Sequence, residues 1–105
     1  MATNIQITSM DCTSSPEIVV IENTGDVSQD LTGWKVEDDG PKYTFNFPAG
    51  FSLEPESLVK LISGEFGDTS NETIYWNSRT VWNNDGDTAS LFDSSGRLVS
   101  KMNCP

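Results

Sequence analysis

Oxygen-rich side chains crowd two short stretches of the sequence. Asn83, Asn84, Asp85 and Asp87 surround Gly86, and a milder set runs from Asp93 to Gly96. Such clusters either ligate a hard cation or make turns. An EF-hand loop needs oxygen ligands at its first, third and fifth positions, glycine at the sixth and a carboxylate at the twelfth. With Gly86 in the glycine place, Asn83 and Asp85 fit, but the first position is Val81 and the twelfth is Phe92. The EF-hand is excluded, and what stays open is a looser calcium site built on Asp85, Asp87 and carbonyl oxygens. Turn chemistry accounts for both clusters more simply. Asn and Asp tolerate positive φ and bond nearby amides, and Gly takes the left-handed residue. DSSG followed by RLV reads as a type I turn with a Gly bulge joining two strands as a hairpin.

A second constellation is aromatic. Tyr75, Trp76 and Trp82, with Asn77, Asn83 and Asn84 beside them, could form an exposed platform that stacks on sugar rings, the amides bonding the hydroxyls. The competing expectation is preferred: Trp76 and Trp82 close an open end of the fold, their indole N–H groups bonded to loop carbonyls. Trp34, in a Gly-Trp pair after a turn, is expected in the core.

Nucleophilic and metal chemistry have little to work with. There is no histidine, so Ser-His-Asp and Cys-His arrangements and imidazole metal sites are excluded. Phosphate-cradling glycine motifs are absent. The many carboxylates guarantee close pairs, as in a glycosidase, but a chain of 105 residues has little material for a deep cleft around one. No catalytic residue and no cofactor is assigned. Cys12 and Cys104 cannot make a structural zinc site. They are either buried thiols or, as their placement near opposite ends favours, a disulfide between the first and last strands. Closing a loop of that length stabilises by about 4 kcal/mol in the chain-entropy account.

These residues must be held by short strands. Apolar stretches recur at 4–8, 17–23, 33–38, 43–47, 57–63, 73–76, 87–92 and 97–102, separated by NTGD, DDGP, FPAG, EPES, EFGDTSN, NNDGD and DSSG. Most alternate with period two, and none sustains a helical period. The pattern predicts one all-β domain over 1–105, an antiparallel sandwich of about seven to nine strands. EIVVIEN breaks the alternation and reads as a central strand with both faces partly covered. Val19, Ile21, Trp34, Val36, Phe45, Phe47, Val59, Leu61, Ala89 and Leu91 are expected to point inward. Pro48 and Pro55 should mark strand ends or edges. Residues 64–72 form the longest polar connection and the expected mobile loop.

Charge narrows the partners. Six Lys and Arg against sixteen Asp and Glu give a net charge of −10, the opposite of the basic footprint that nucleic acid requires. No run of apolar residues is long enough to span a bilayer. The abrupt MATNIQITS start and MNCP end read as a domain cut from a longer protein, monomeric when isolated.

Four motifs in register carry a resemblance. EIVVIENTGD, DLTGW, YTFNFPAGFSLEPE and WNN leading into GDTASLFDSSGRLV are similar to the strand-and-turn signatures of lamin tail domains. The similarity runs from about Ile5 to Lys101. Two positions depart from the family pattern: Glu56 follows Pro55 where glycine is common, and Ile18 follows Glu17 where an aromatic is common. The resemblance implies an immunoglobulin-like sandwich without catalytic residues, serving as an accessory module of a larger exported protein. Prokaryotic relatives of this kind accompany secreted nucleases and metallo-β-lactamase-type hydrolases. The partner expected is a protein or cell-surface component, and the location extracellular or at the cell surface. A carbohydrate-binding module, calcium-assisted or not, is the alternative.

Overall fold

The structure, a computed structural model, describes residues 4–13, 16–38, 43–65, 67–70, 72–77, 81–82 and 87–104. They form ten strands: β1 (Ile5–Asp11), β2 (Glu17–Asn23), β3 (Gln29–Asp30), β4 (Lys35–Glu37), β5 (Thr44–Asn46), β6 (Ser52–Leu53), β7 (Leu58–Ser63), β8 (Thr73–Asn77), β9 (Asp87–Phe92) and β10 (Leu98–Cys104). Eight build two four-stranded sheets, ordered β1-β2-β7-β8 and β10-β9-β4-β5, and β3 pairs with β6 in a two-stranded ribbon. The ribbon is what takes the strand number past the nine expected.

Alternation decides which side chains meet between the sheets. Val19 and Ile21 of β2, Val59 and Leu61 of β7, Val36 of β4, and Ala89 and Leu91 of β9 are all fully or nearly fully buried, and Trp34 and Phe47 join them. Phe45 is only partly buried, packed against this core from the outermost strand. EIVVIEN is central as expected, flanked by β1 and β7. Pro48 follows β5 and Pro55 follows β6, so both stand outside the ladders.

One pairing departs from the antiparallel expectation. β8 runs parallel to β7, with Lys60 opposite Thr73 and Ile62 opposite Tyr75. Parallel neighbours ordinarily need a long crossover. Here β8 lies beside only Lys60 to Ser63, so the chain leaving Ser63 has to travel back only about 10 Å. The connection 64–72 suffices.

The hairpin read from DSSG is present. β9 and β10 pair antiparallel with Leu98 opposite Phe92, and Gly96 takes φ 86°. Its N–H donates to the Asp93 carbonyl at 2.9 Å, and the Asp93 N–H donates to the Arg97 carbonyl at 3.0 Å. The Asp93 carboxylate accepts from the Ser95 Oγ, the Ser95 N–H and the Arg97 N–H. The Ser95 hydroxyl bond, then the Arg97 amide bond, hold its pKa below the ordinary aspartate value. Glu56 is the one non-glycine residue at positive φ among those described, at 59°. It stands in the left-handed place of a turn where glycine carries no steric cost.

Candidate functional site

The four edges of the two larger sheets are finished differently, and candidate residues lie along both sides that these edges form. At one side β1 and β10 run together. Cys12 and Cys104 form a disulfide there, with Cα atoms 6.1 Å apart, and the Ile7 N–H donates to Ser100 Oγ at 3.0 Å. Both strands carry a register shift at this contact, between Ile7 and Ser9 and between Leu98 and Ser100. The two sheets are joined covalently along this side.

At the other side β8 faces β5 across an aromatic seam. Phe51, Phe47, Phe45, Trp76 and Trp82 follow one another with ring centroids 5.1 to 5.9 Å apart. Trp76 meets Trp82 edge-on, with 68° between the ring planes. Trp82 is buried at 3% exposure, and Tyr75 and Trp76 are half-buried. A sugar platform needs exposed, coplanar rings, so the platform reading is corrected for Trp82: its ring is core, packed against Trp76. Tyr75 is also obstructed. Gly67 lies so close that a Cβ there would sit 2.6 Å from the tyrosine ring. The expected bond from the indole to a loop carbonyl is not made by Trp82, whose Nε1 is buried without a partner.

What places Trp82 is a residue that carried no functional assignment in the sequence. Glu17 opens β2 and is 0% exposed. Its Oε1 accepts from Ser63 Oγ at 2.9 Å, from the Val81 N–H at 2.8 Å and from the Trp82 N–H at 3.3 Å. The carboxylate thus ties residues 81 and 82 to the ends of β2 and β7. Its second oxygen, Oε2, is buried with no partner. Period-two alternation does put Glu17 on the same face as Val19, Ile21 and Asn23, and that was the available signal. Asn23, likewise fully buried, bonds the carbonyls of Val27 and Leu53 through its amide nitrogen and accepts the Gly25 N–H. It fastens β2 to the β3-β6 ribbon.

The calcium reading rests on Asp85 and Asp87. Asp85 lies outside the described residues, as do Asn83 and Asn84. Asp87 begins β9, and its carboxylate accepts the Thr88 N–H at 2.8 Å. Among the described residues no three His, Cys, Asp or Glu side chains are grouped to hold a metal ion. A half-open surface groove is bordered by Phe51, Leu53, Glu54, Glu56, Leu58 and Lys60.

The remaining two edges are β8 and β5. The connection 64–72 covers β8: the Ser70 N–H donates to the Thr73 carbonyl at 2.7 Å and the Tyr75 N–H to Thr69 Oγ1 at 3.2 Å. For β5, Phe47 N–H donates to the Trp34 carbonyl and Asp38 N–H to the Tyr43 carbonyl. With Val36 opposite Phe45 in the same register, the backbone groups of Thr44 and Asn46 face away from β4. Both residues are exposed.

Comparison with known proteins fits this architecture. The family profile described as Lamin Tail Domain matches residues 2–104. Among curated proteins, none matches. The archaellum periplasmic stator protein FlaG from Sulfolobus acidocaldarius is similar in structure, with a TM-score of 0.62 and 21% identity, over 98% of this chain and 100% of that one. A chain from the stator complex of FlaF and FlaG of the same organism is similar with a TM-score of 0.57 and 20% identity, over 99% of this chain and 90% of that one.

Proposed function

Because the chain belongs to the lamin tail domain family, we propose that it is a non-catalytic accessory module, binding a protein partner at or beyond the cell surface. One observation carries this reading. The side chains with the most chemical potential are consumed by the fold: Trp82 is core, Glu17 ties down a backbone turn, and the two cysteines are bonded to each other. What is left for recognition is sheet surface and sheet edge, which suit a protein partner. The lack of histidine supports a role without acid–base or nucleophilic catalysis. The disulfide supports an oxidising location. The similar stator chains act, by their own description, in a periplasmic complex of two proteins, a use of this architecture in protein assembly. The larger protein served would be a secreted hydrolase of the nuclease or metallo-β-lactamase type, as the family likeness suggests.

The test is binding of the purified chain to isolated cell envelopes of its host, before and after protease or periodate treatment. Loss of binding on proteolysis alone is the expected result. Loss on periodate alone would transfer the reading to carbohydrate. No saturable binding to untreated envelopes would sink it.

A further inference from the structure

We infer that the open edge of β5 is the docking site, and that its occupant is an extended, net-cationic segment of another protein that adds to the second sheet as a further strand. The inference rests on the interaction role proposed above and names the surface and the partner's chemistry.

The contrast between edges is the starting point. An unpaired edge is a template for another chain, and proteins cover such edges, charge them, set proline on them or keep them short. Of these devices β5 has only its length of three residues. Three edges here are managed. β1 and β10 close on each other through the disulfide and the bond from Ile7 to Ser100. β8 is capped by Ser70 and Thr69 from its own connection, with Gly67 laid on Tyr75. On β5 the N–H and C=O groups of Thr44 and Asn46 point outward, and among the described residues nothing bonds them. Neither side chain is a lysine or a proline that would block approach.

Register fixes what fits. Outward backbone groups at alternate residues accept only an extended chain, the geometry of strand addition. The inward-facing neighbour between them is Phe45, half-buried and 5.9 Å from Trp76 between ring centroids. An incoming strand therefore sets alternate side chains against the end of the aromatic seam, and apolar, β-branched ones fit there. Its outward side chains lie beside Thr44 and Asn46, exposed to the field of a chain of net charge −10. That field draws in cationic segments and repels a second copy of the same acidic chain.

The experiment is an amide NMR titration of the whole chain with a blocked heptapeptide of valine and threonine alternating between terminal lysines. A glutamate-for-lysine version serves as control. The expected result is saturable shifts and slowed exchange at the Thr44 and Asn46 amides, with weaker binding of the acidic peptide. Thr44→Pro removes one outward donor without touching a β4 bond, and should weaken binding about tenfold, while Thr44→Val, which keeps the donor, stays within about twofold. Should Thr44→Pro melt early, Asn46→Pro and the amide protection in the unmodified chain decide the matter. Shifts centred elsewhere, absence of saturation, or unchanged binding by the proline variant would overturn the inference. Shifts at these amides with protein concentration alone would make the occupant a second copy, and overturn the assignment to another protein. Envelope binding that persists in the proline variant would refute this edge and leave the broader interaction role standing.

Discussion

Glu17 concentrates the energetics of the molecule at one oxygen. Three donors converge on Oε1, and a buried donor that loses its acceptor bears its full desolvation cost. Glu17→Leu should therefore destabilise by about 2–4 kcal/mol in urea titration, with Trp82 emission moving to the red as residues 81 and 82 come loose. Glu17→Gln keeps an oxygen acceptor, so its loss should be smaller; equal losses would show that packing, not the acceptor, matters. Asp93 gives a prediction with a pH sign. Its folded pKa is lowered, chiefly by Ser95 and then by Arg97, so its contribution is complete above the ordinary aspartate value and fades as pH falls through the lowered one. Carboxyl-carbon NMR should place its midpoint below that of an unperturbed aspartate, and Ser95→Ala should move it upward. Stability at neutral pH should not acquire a slope from this group.

At the scale of elements, the disulfide is the strongest single constraint. It closes a separation of 92 residues, for which the chain-entropy account gives about 4.5 kcal/mol. Reduction should lower the denaturation midpoint by a corresponding amount and release the Ile7 amide to fast exchange, since β1 and β10 would part first. A reduced protein as stable as the oxidised one would refute that account here. Much of this architecture was legible in the residues. Alternation in YTFNF and in DTASLF announced those strands and their inward faces, the unbroken apolar run of EIVVIEN announced a central strand, and DSSG announced its hairpin. The parallel pairing of β8 was not legible, because TIYW carries no mark of direction and only its register beside Lys60 makes a short return possible. The role of Glu17 was half legible: its parity was inward, but a charged residue opening an apolar run reads as a boundary until its three donors are seen. The packing of Trp82 followed from the scarcity of other core material, but its place in the seam between β5 and β8, without the expected indole bond, depends on β8 and residue 82 meeting in space.

For the molecule as a whole, the net charge of −10 sets how it responds to its surroundings. Lys35 pairs with Glu37 at 3.2 Å, but six Lys and Arg cannot balance sixteen Asp and Glu, so net repulsion remains. Salt screens such repulsion, with a Debye length near 30 Å at about 0.01 M and near 10 Å at about 0.1 M. The melting temperature should therefore rise across that range of sodium chloride, and a scan that falls or stays flat would count against repulsion as a significant term.

The bond between Cys12 and Cys104 also sets a mechanical character. Suppose the molecule is pulled from its two flanks. Tension entering ahead of β1 runs along that strand to Cys12, crosses the sulfurs and leaves at Cys104, so the chain between them never comes under load. The stretch held slack would extend to about 300 Å if released, and covalent chemistry keeps it coiled within the sandwich. A load-bearing tether made this way transmits force almost without lengthening, until a reductant converts it into a long and compliant one.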